Sequence, residues 1–201
     1  MNLDAKSQTD TQTAEIQNTW YKLRDRYQLL AEELHRLLDE DERFPRGSVY
    51  TVKHRLKSER RLIQKIEDLN SRQEHTKSPI TASTFQDHIA DLLGMRIICL
   101  RLSDLKKVQE YISSLQAENS ILVLEGPVQK ETFLLRPGKE LHPESNVDLQ
   151  YSGYSSIHYI VKLGPSVKPP KDLSGTRAEL QVRTILEEAW GEIDHRYRYE
   201  L

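Results

Sequence analysis

A single cysteine, Cys99, is all that the 201 residues contain, so neither an intrachain disulfide framework nor a cysteine-rich zinc site can hold this fold. That cysteine lies in the apolar run Met95-Arg-Ile-Ile-Cys-Leu100, where a buried structural thiol is expected rather than a nucleophile. No stretch approaches the roughly 20 apolar residues of a membrane span. The opening MNLDAKSQTDTQTAEIQ also lacks the apolar centre of a secretory signal, so a cytoplasmic protein with no membrane partner is expected. Neither sign of charge dominates. Lys and Arg number 29 against 31 Asp and Glu, a net charge of -2, which excludes coating nucleic acid by bulk positive charge. Repeats and low-complexity tracts are missing as well. What remains, 37% hydrophobic and 30% charged, suits a globular chain long enough to bury a real core.

The order of elements follows from periodicity. Residues 1–12 are polar and expected to fray. Ile16, Trp20, Leu23, Tyr27, Leu30, Leu34 and Leu37 keep a helical period, predicting one long amphipathic helix from about Ala14 to Asp41. Phe44-Pro-Arg-Gly47 ends it, giving a helical extension over 1–45 and a main domain over 46–201. A strand at Ser48–His54 and a helix from about Lys57 to Leu69 come next. A helix Phe85–Leu93, capped by Ser83 or Thr84 and closed by Gly94, leads into the strand MRIICL. Ser103 is expected to cap a helix running to about Leu115. Ile121–Glu125, Glu131–Leu135 and Ile157–Leu163 read as strands, with a polar loop around Arg136-Pro-Gly-Lys139. Thr176–Arg183 alternates as a strand and enters a helix opened by the capping box Thr184-Ile-Leu-Glu187. The sum is an α/β (α+β) fold, a mixed sheet with helices packed on it.

Chemistry is concentrated in four places. SVYTVKHRLKSERRLIQKI gathers Lys53, His54, Arg55, Lys57, Arg60, Arg61 and Lys65 in one stretch of a near-neutral chain. Lys57, Arg61 and Lys65 are four apart, one stripe on a helix. Like charges at that spacing repel by about 0.2–0.5 kcal/mol per pair; a polyphosphate would relieve them, and Arg55 adds a guanidinium that can fork onto phosphate or stack on a base. In AELQVRT, 178–184, alternation sends Ala178, Leu180 and Val182 to the core and Arg177, Glu179, Gln181 and Arg183 to the other face, a poor core but a good floor for a wet cleft. Glu179 there is open to roles as ion-pair partner, metal ligand or general base. Asp91, in DLLGMRII, sits where a helix end would disfavour an acid; a turn or a magnesium site would account for it. YSGYSSIHYIV brings Gly153, Tyr154 and His158 together, with flat faces for a base or simply for packing.

Taken in order, HRLKSERRLIQK, DLLGMRII, SGYSSIHY and ELQVRTILEEAWGEIDHRYRY resemble the synthetase domain of the RelA/SpoT-homologue family, and most of all its single-domain small alarmone synthetases and toxin-type relatives. The resemblance spans about residues 48–200. It implies a nucleotidyltransferase-like mixed sheet flanked by helices, and an ATP-dependent transfer of the β,γ-pyrophosphate to the 3′-hydroxyl of GDP or GTP, making (p)ppGpp. Carried over residue by residue, it assigns Arg55, Lys57, Arg61, Lys65 and Arg96 to ATP, with Arg55 and Arg96 sandwiching adenine. Asp91 and Glu179 become Mg²⁺ ligands, Glu179 also the carboxylate beside the acceptor hydroxyl. Tyr154 stacks on the acceptor base, supported by His158, Gln181 and Arg183. Two departures stand out. Arg61 replaces the family's usual serine. Gln150-Tyr-Ser-Gly-Tyr154 replaces the K-x-N-G-Y of guanosine-specific members, leaving Arg136 or Lys139 to meet acceptor phosphates. The acceptor thus stays open between guanosine nucleotides, adenosine nucleotides and a tRNA 3′ end, with an inactive nucleotide-binding module as the reading from another class. Homo-oligomerisation, and an antitoxin partner for a toxin-type member, are further implications of the resemblance.

Overall fold

The structure, a computed structural model, describes residues 3–72, 78–132, 147–150, 156–169, 171 and 173–199. Its centre is a six-stranded mixed sheet in the order β1-β2-β6-β5-β3-β4. The strands are β1 (Val49–Leu56), β2 (Leu93–Cys99), β3 (Ile121–Thr132), β4 (Val147–Gln150), β5 (Ser156–Leu163) and β6 (Ala178–Thr184). The helices are α1 (Leu3–Glu40), α2 (Glu59–Arg72), the single turn α3 (Phe85–His88), α4 (Leu102–Ala117) and α5 (Ile185–Tyr199). Pairing is antiparallel for β1–β2, β6–β5 and β5–β3, and parallel for β2–β6 and β3–β4.

Strand alternation divides the sheet into two unlike faces. Met95, Ile97 and Cys99 of β2, Ala178, Leu180 and Val182 of β6, and Ile157, Tyr159 and Val161 of β5 share the face that forms the core. Helices α1 and α4 cover it, through Ile16, Trp20, Tyr27, Leu30 and Leu34 on one side and Val108, Ile112 and Leu115 on the other. Burial pushes the Cys99 thiol up to about 12, so it is inert at neutral pH. The opposite face carries the charged residues, and α5 lies against it over β6 and β2.

The long first helix therefore packs on its own domain. Leu30 is fully buried, so Leu30→Ala is expected to cost about 2–5 kcal/mol in denaturant unfolding. A loss below about 1 kcal/mol would show that α1 does not rest on the sheet in solution.

Several boundaries differ from the sequence expectation. The helix α1 begins at Leu3, so the polar opening is helical rather than frayed, and Gln12 Nε2 ties the helix to the Ile80 carbonyl at 3.1 Å. Lys57 lies before α2, not on it. Phe85–Leu93 is not one helix: the chain turns extended at Ile89, makes a 3-10 turn at Ala90–Leu92 and enters β2, with Gly94 inside the strand. Ile89, Leu92 and Leu93 are all fully buried, and the kink meets that demand. Thr84 precedes α3 without a side-chain cap, and Ser103 lies inside α4, whose first turn holds the buried Asp104 between Arg101 and Lys107. The strand expected over Ile121–Glu125 runs on through Gly126-Pro127 to Thr132 as β3, with two bulges. Gly126 has φ 109, and a Cβ there would sit 2.6 Å from the His158 carbonyl oxygen, so a glycine lets β3 close behind β5. Residues 133–135 and the loop 136–139 lie outside the described residues, while β4 was not anticipated. The capping box at Thr184 forms as expected: its amide donates to Glu187 Oε2 at 2.7 Å.

Candidate active site

The charged face is built by register. Lys53, Arg96, Gln181 and His158 lie in one row across β1, β2, β6 and β5, and Arg55, Gly94 and Glu179 in the next. Side chains paired this way point to the same side. Arg55 is therefore beside Arg96, and its guanidinium is held below the ordinary arginine value by burial, with Arg96 and Arg61 adding like-charge repulsion.

At one end of that row, the 3-10 turn presents Asp91 to two lysines. Lys57 Nζ lies 2.5 Å from Oδ2 and Lys65 Nζ 2.8 Å from Oδ1. Asp91, an acid from a different element, sits between Lys57 and Lys65 and offsets their mutual repulsion. Lys57 arrives from the β1–α2 connection, fixed by its amide bonding to the Leu92 carbonyl at 2.9 Å, and Lys65 arrives from α2. The Lys57 side chain is 9% exposed; burial lowers its affinity for a proton, against the pull of Asp91. For Asp91, burial opposes ionisation, but the two lysines outweigh it and hold the carboxyl below the usual aspartate value.

Glu179 is held from the other side. Its Oε1 lies 2.7 Å from His158 Nδ1, and its Oε2 accepts from Gln181 Nε2 at 2.8 Å. Burial again resists ionisation, and the bonds from His158 and Gln181 overcome it, so the carboxyl titrates below the ordinary glutamate value. Asp91 is near enough for its charge to oppose the ionisation of Glu179. His158 Nε2 in turn lies 2.5 Å from Ser156 Oγ. Ser156, His158 and Glu179 thus follow the order of a hydrolase triad. With Ser156 only 2% exposed, its hydroxyl fixes the ring and cannot reach a substrate.

The sequence expectation placed Arg55, Lys57, Lys65, Asp91, Arg96, Glu179, His158, Gln181 and Arg183 in one site, and the structure brings all nine to one face. Arg61 lies close enough to act on Arg55. Arg183 is buried, with its guanidinium on Glu188. Tyr154, Gly153, Arg136 and Lys139 fall outside the described residues. Sequence reading missed Ser156, Glu188 and Glu192. Glu188 and Glu192 are one turn apart on α5, and that i, i+4 acid pair, arriving straight after an arginine-bearing strand, was the available signal. Among the described residues no helix is long and apolar enough to cross a membrane, and no three His, Cys, Asp or Glu side chains cluster as a metal cage. Asp91 between two lysines and Glu179 between His158 and Gln181 instead fit a hard cation that completes its shell with oxygens of a bound phosphate.

The family described as the region found in RelA and SpoT proteins matches residues 54–201. The GTP pyrophosphokinase YwaC of Bacillus subtilis (strain 168) is 26% identical over 122 residues, covering 61% of this chain. The match takes in 48% of that protein, so it spans about half the length of the curated relative. The crystal structure of small alarmone synthetase 1 from Bacillus subtilis aligns with a TM-score of 0.60 at 22% identity, over 90% of this chain and 80% of that one. The same synthetase bound to its product pppGpp gives 0.58 at 21% identity, over 91% and 82%.

Proposed function

The chain belongs to the RelA/SpoT family, and from that premise we propose that it is an ATP-dependent pyrophosphokinase that makes (p)ppGpp from GDP or GTP in the cytoplasm. The observation that carries this reading is the convergence of Lys57 and Lys65 on Asp91, on the same site as a Glu179 kept ionised by His158 and Gln181. The relative named as a GTP pyrophosphokinase and the neighbour crystallised with pppGpp support the choice of acceptor.

In the reaction, the acceptor 3′-oxygen attacks the β-phosphorus of ATP and forms the new O–P bond. The bond from that phosphorus to the oxygen bridging the α-phosphate breaks, and AMP leaves. Glu179 takes the 3′-hydroxyl proton, a role that suits an acid whose folded state favours the charged form. His158 and Gln181 hold its two oxygens in place. Lys57 and Lys65 turn from Asp91 to the phosphates, with Arg61 beside them, and neutralise charge that builds as the pyrophosphoryl group moves. Arg55 and Arg96 flank the adenine. Asp91, with Glu179, would hold Mg²⁺, which when bound supplies further neutralisation of the phosphate oxygens. On the acceptor side Tyr154 stacks on guanine, and Arg136 or Lys139 meets its phosphates in place of the lysine that Gln150 lacks.

The test is one assay: the purified protein with Mg²⁺ and γ-labelled ATP, offered GDP, GTP, AMP or tRNA in parallel. Label on the guanosine nucleotides is the expected result. Label on tRNA or AMP alone would reassign the acceptor, and no transfer to any of them would overturn the reading.

A further inference from the structure

Helix α5 places one buried carboxylate among three cations. Glu188 is 8% exposed. Its Oε1 lies 3.3 Å from Arg96 Nη1 and 3.5 Å from Lys53 Nζ, and its Oε2 pairs with Arg183 Nη2. Arg96 Nη1 also reaches Glu192 Oε1 at 3.0 Å, but the Glu192 side chain is 59% exposed against 11% for Glu188. A buried carboxylate restrains a guanidinium far more than an exposed one.

The elements involved come from opposite halves of the site. Lys53 and Arg96 stand on β1 and β2, on the side assigned to ATP. Arg183 stands on β6, two residues beyond Gln181 and four beyond Glu179. Lys53, Arg96 and Arg183 would repel one another on one sheet face, and Glu188 is the buried counter-charge they share. An arginine whose edge is bonded to a carboxylate cannot rotate freely, and the planar face is what it has left to offer a base.

We propose that Glu188 is a positioning residue for pyrophosphate transfer: through Arg96 it presets the ATP side, and through Arg183 it fixes that side relative to the strand carrying Glu179. This inference rests on the pyrophosphokinase reading. Glu188 touches neither nucleotide; it acts through the arginines, so its effect vanishes once they are gone.

A double-mutant cycle tests it, read as binding of a non-hydrolysable ATP analogue with Mg²⁺ and as KM and kcat for ATP. Glu188→Gln is expected to weaken analogue binding and raise KM for ATP about tenfold, with kcat changed less. Glu192→Gln should have a smaller effect. Glu188→Asp keeps the charge but is one methylene short; it serves as the second variant should Glu188→Gln melt before the assay temperature, and it too should raise KM. Arg96→Gln should weaken binding on its own, and adding Glu188→Gln to it should cost clearly less than Glu188→Gln costs in the wild type, the remainder being the part carried through Arg183. Additive losses, or an unchanged KM in both Glu188 variants, would overturn the positioning role while leaving the reaction intact. If Arg96→Gln itself leaves analogue binding unchanged, the assignment of Arg96 to ATP fails, and the role of Glu188 fails with it.

Discussion

Glu179→Gln is expected to lower kcat by about a hundred- to ten-thousandfold, the usual worth of a positioned general base, with the fold and ATP binding retained. The substitution keeps the shape of the side chain and one oxygen for His158 or Gln181, so circular dichroism should be unchanged. It removes the ionised, hydrogen-bonded carboxylate assigned to take the proton from the acceptor hydroxyl. The pH profile adds a second reading. The folded carboxyl titrates below the ordinary glutamate value, so wild-type activity should persist on the acid side until pH falls through that depressed value. The stabilisation linked to Glu179 is present above its unfolded pKa and is lost over the same fall. The acid limb should be missing from whatever turnover the variant retains. Turnover within about tenfold of wild type would remove Glu179 from the role of base.

Asp91→Asn is expected to have the next largest effect, for a different reason. Transfer should fall by about a hundred- to a thousandfold, the scale of losing one preorganised electrostatic group. Stability should fall as well, since Lys57 keeps a nearly buried ammonium with no charge to meet it; about 3 kcal/mol is the expected loss. Inorganic tripolyphosphate should restore part of the lost melting temperature, because phosphate oxygens replace the missing carboxylate at Lys57 and Lys65. A variant as stable as wild type, or one that tripolyphosphate does not protect, would contradict the pairing. Preserved Mg²⁺-dependent turnover would take Asp91 out of the reaction.

Much of this site was legible in the sequence because its strands alternate cleanly. AELQVRT announces which residues face the core, whereas the spacing of Lys57, Arg61 and Lys65 predicts one helical stripe and Lys57 lies before α2. What the sequence could not supply is the partner across space. Nothing local says that Asp91 will lie between Lys57 and Lys65, since that contact depends on a kink at Ile89 which no turn residue marks. Glu188 is less hidden: its i, i+4 spacing to Glu192 is visible, but which cations it meets depends on where α5 lands on the sheet. The strand expected over Ile121–Glu125 also runs on, because pairing with β5 carries β3 through Gly126-Pro127 to Thr132. Single elements were readable wherever one face is buried, and tertiary junctions were not.

The parallel pairing of β2 with β6 joins two stretches of chain that do not overlap: 53–96, which carries the residues proposed to grip ATP, and the part after Ile121, which carries those proposed to meet the acceptor. They meet where Gly94 of β2 lies opposite Glu179 of β6, and again where Glu188 of α5 reaches Lys53 and Arg96. On the proposed roles, rewriting the second stretch around an unchanged Glu179 exchanges the molecule that is modified, while the residues that grip ATP stay as they are.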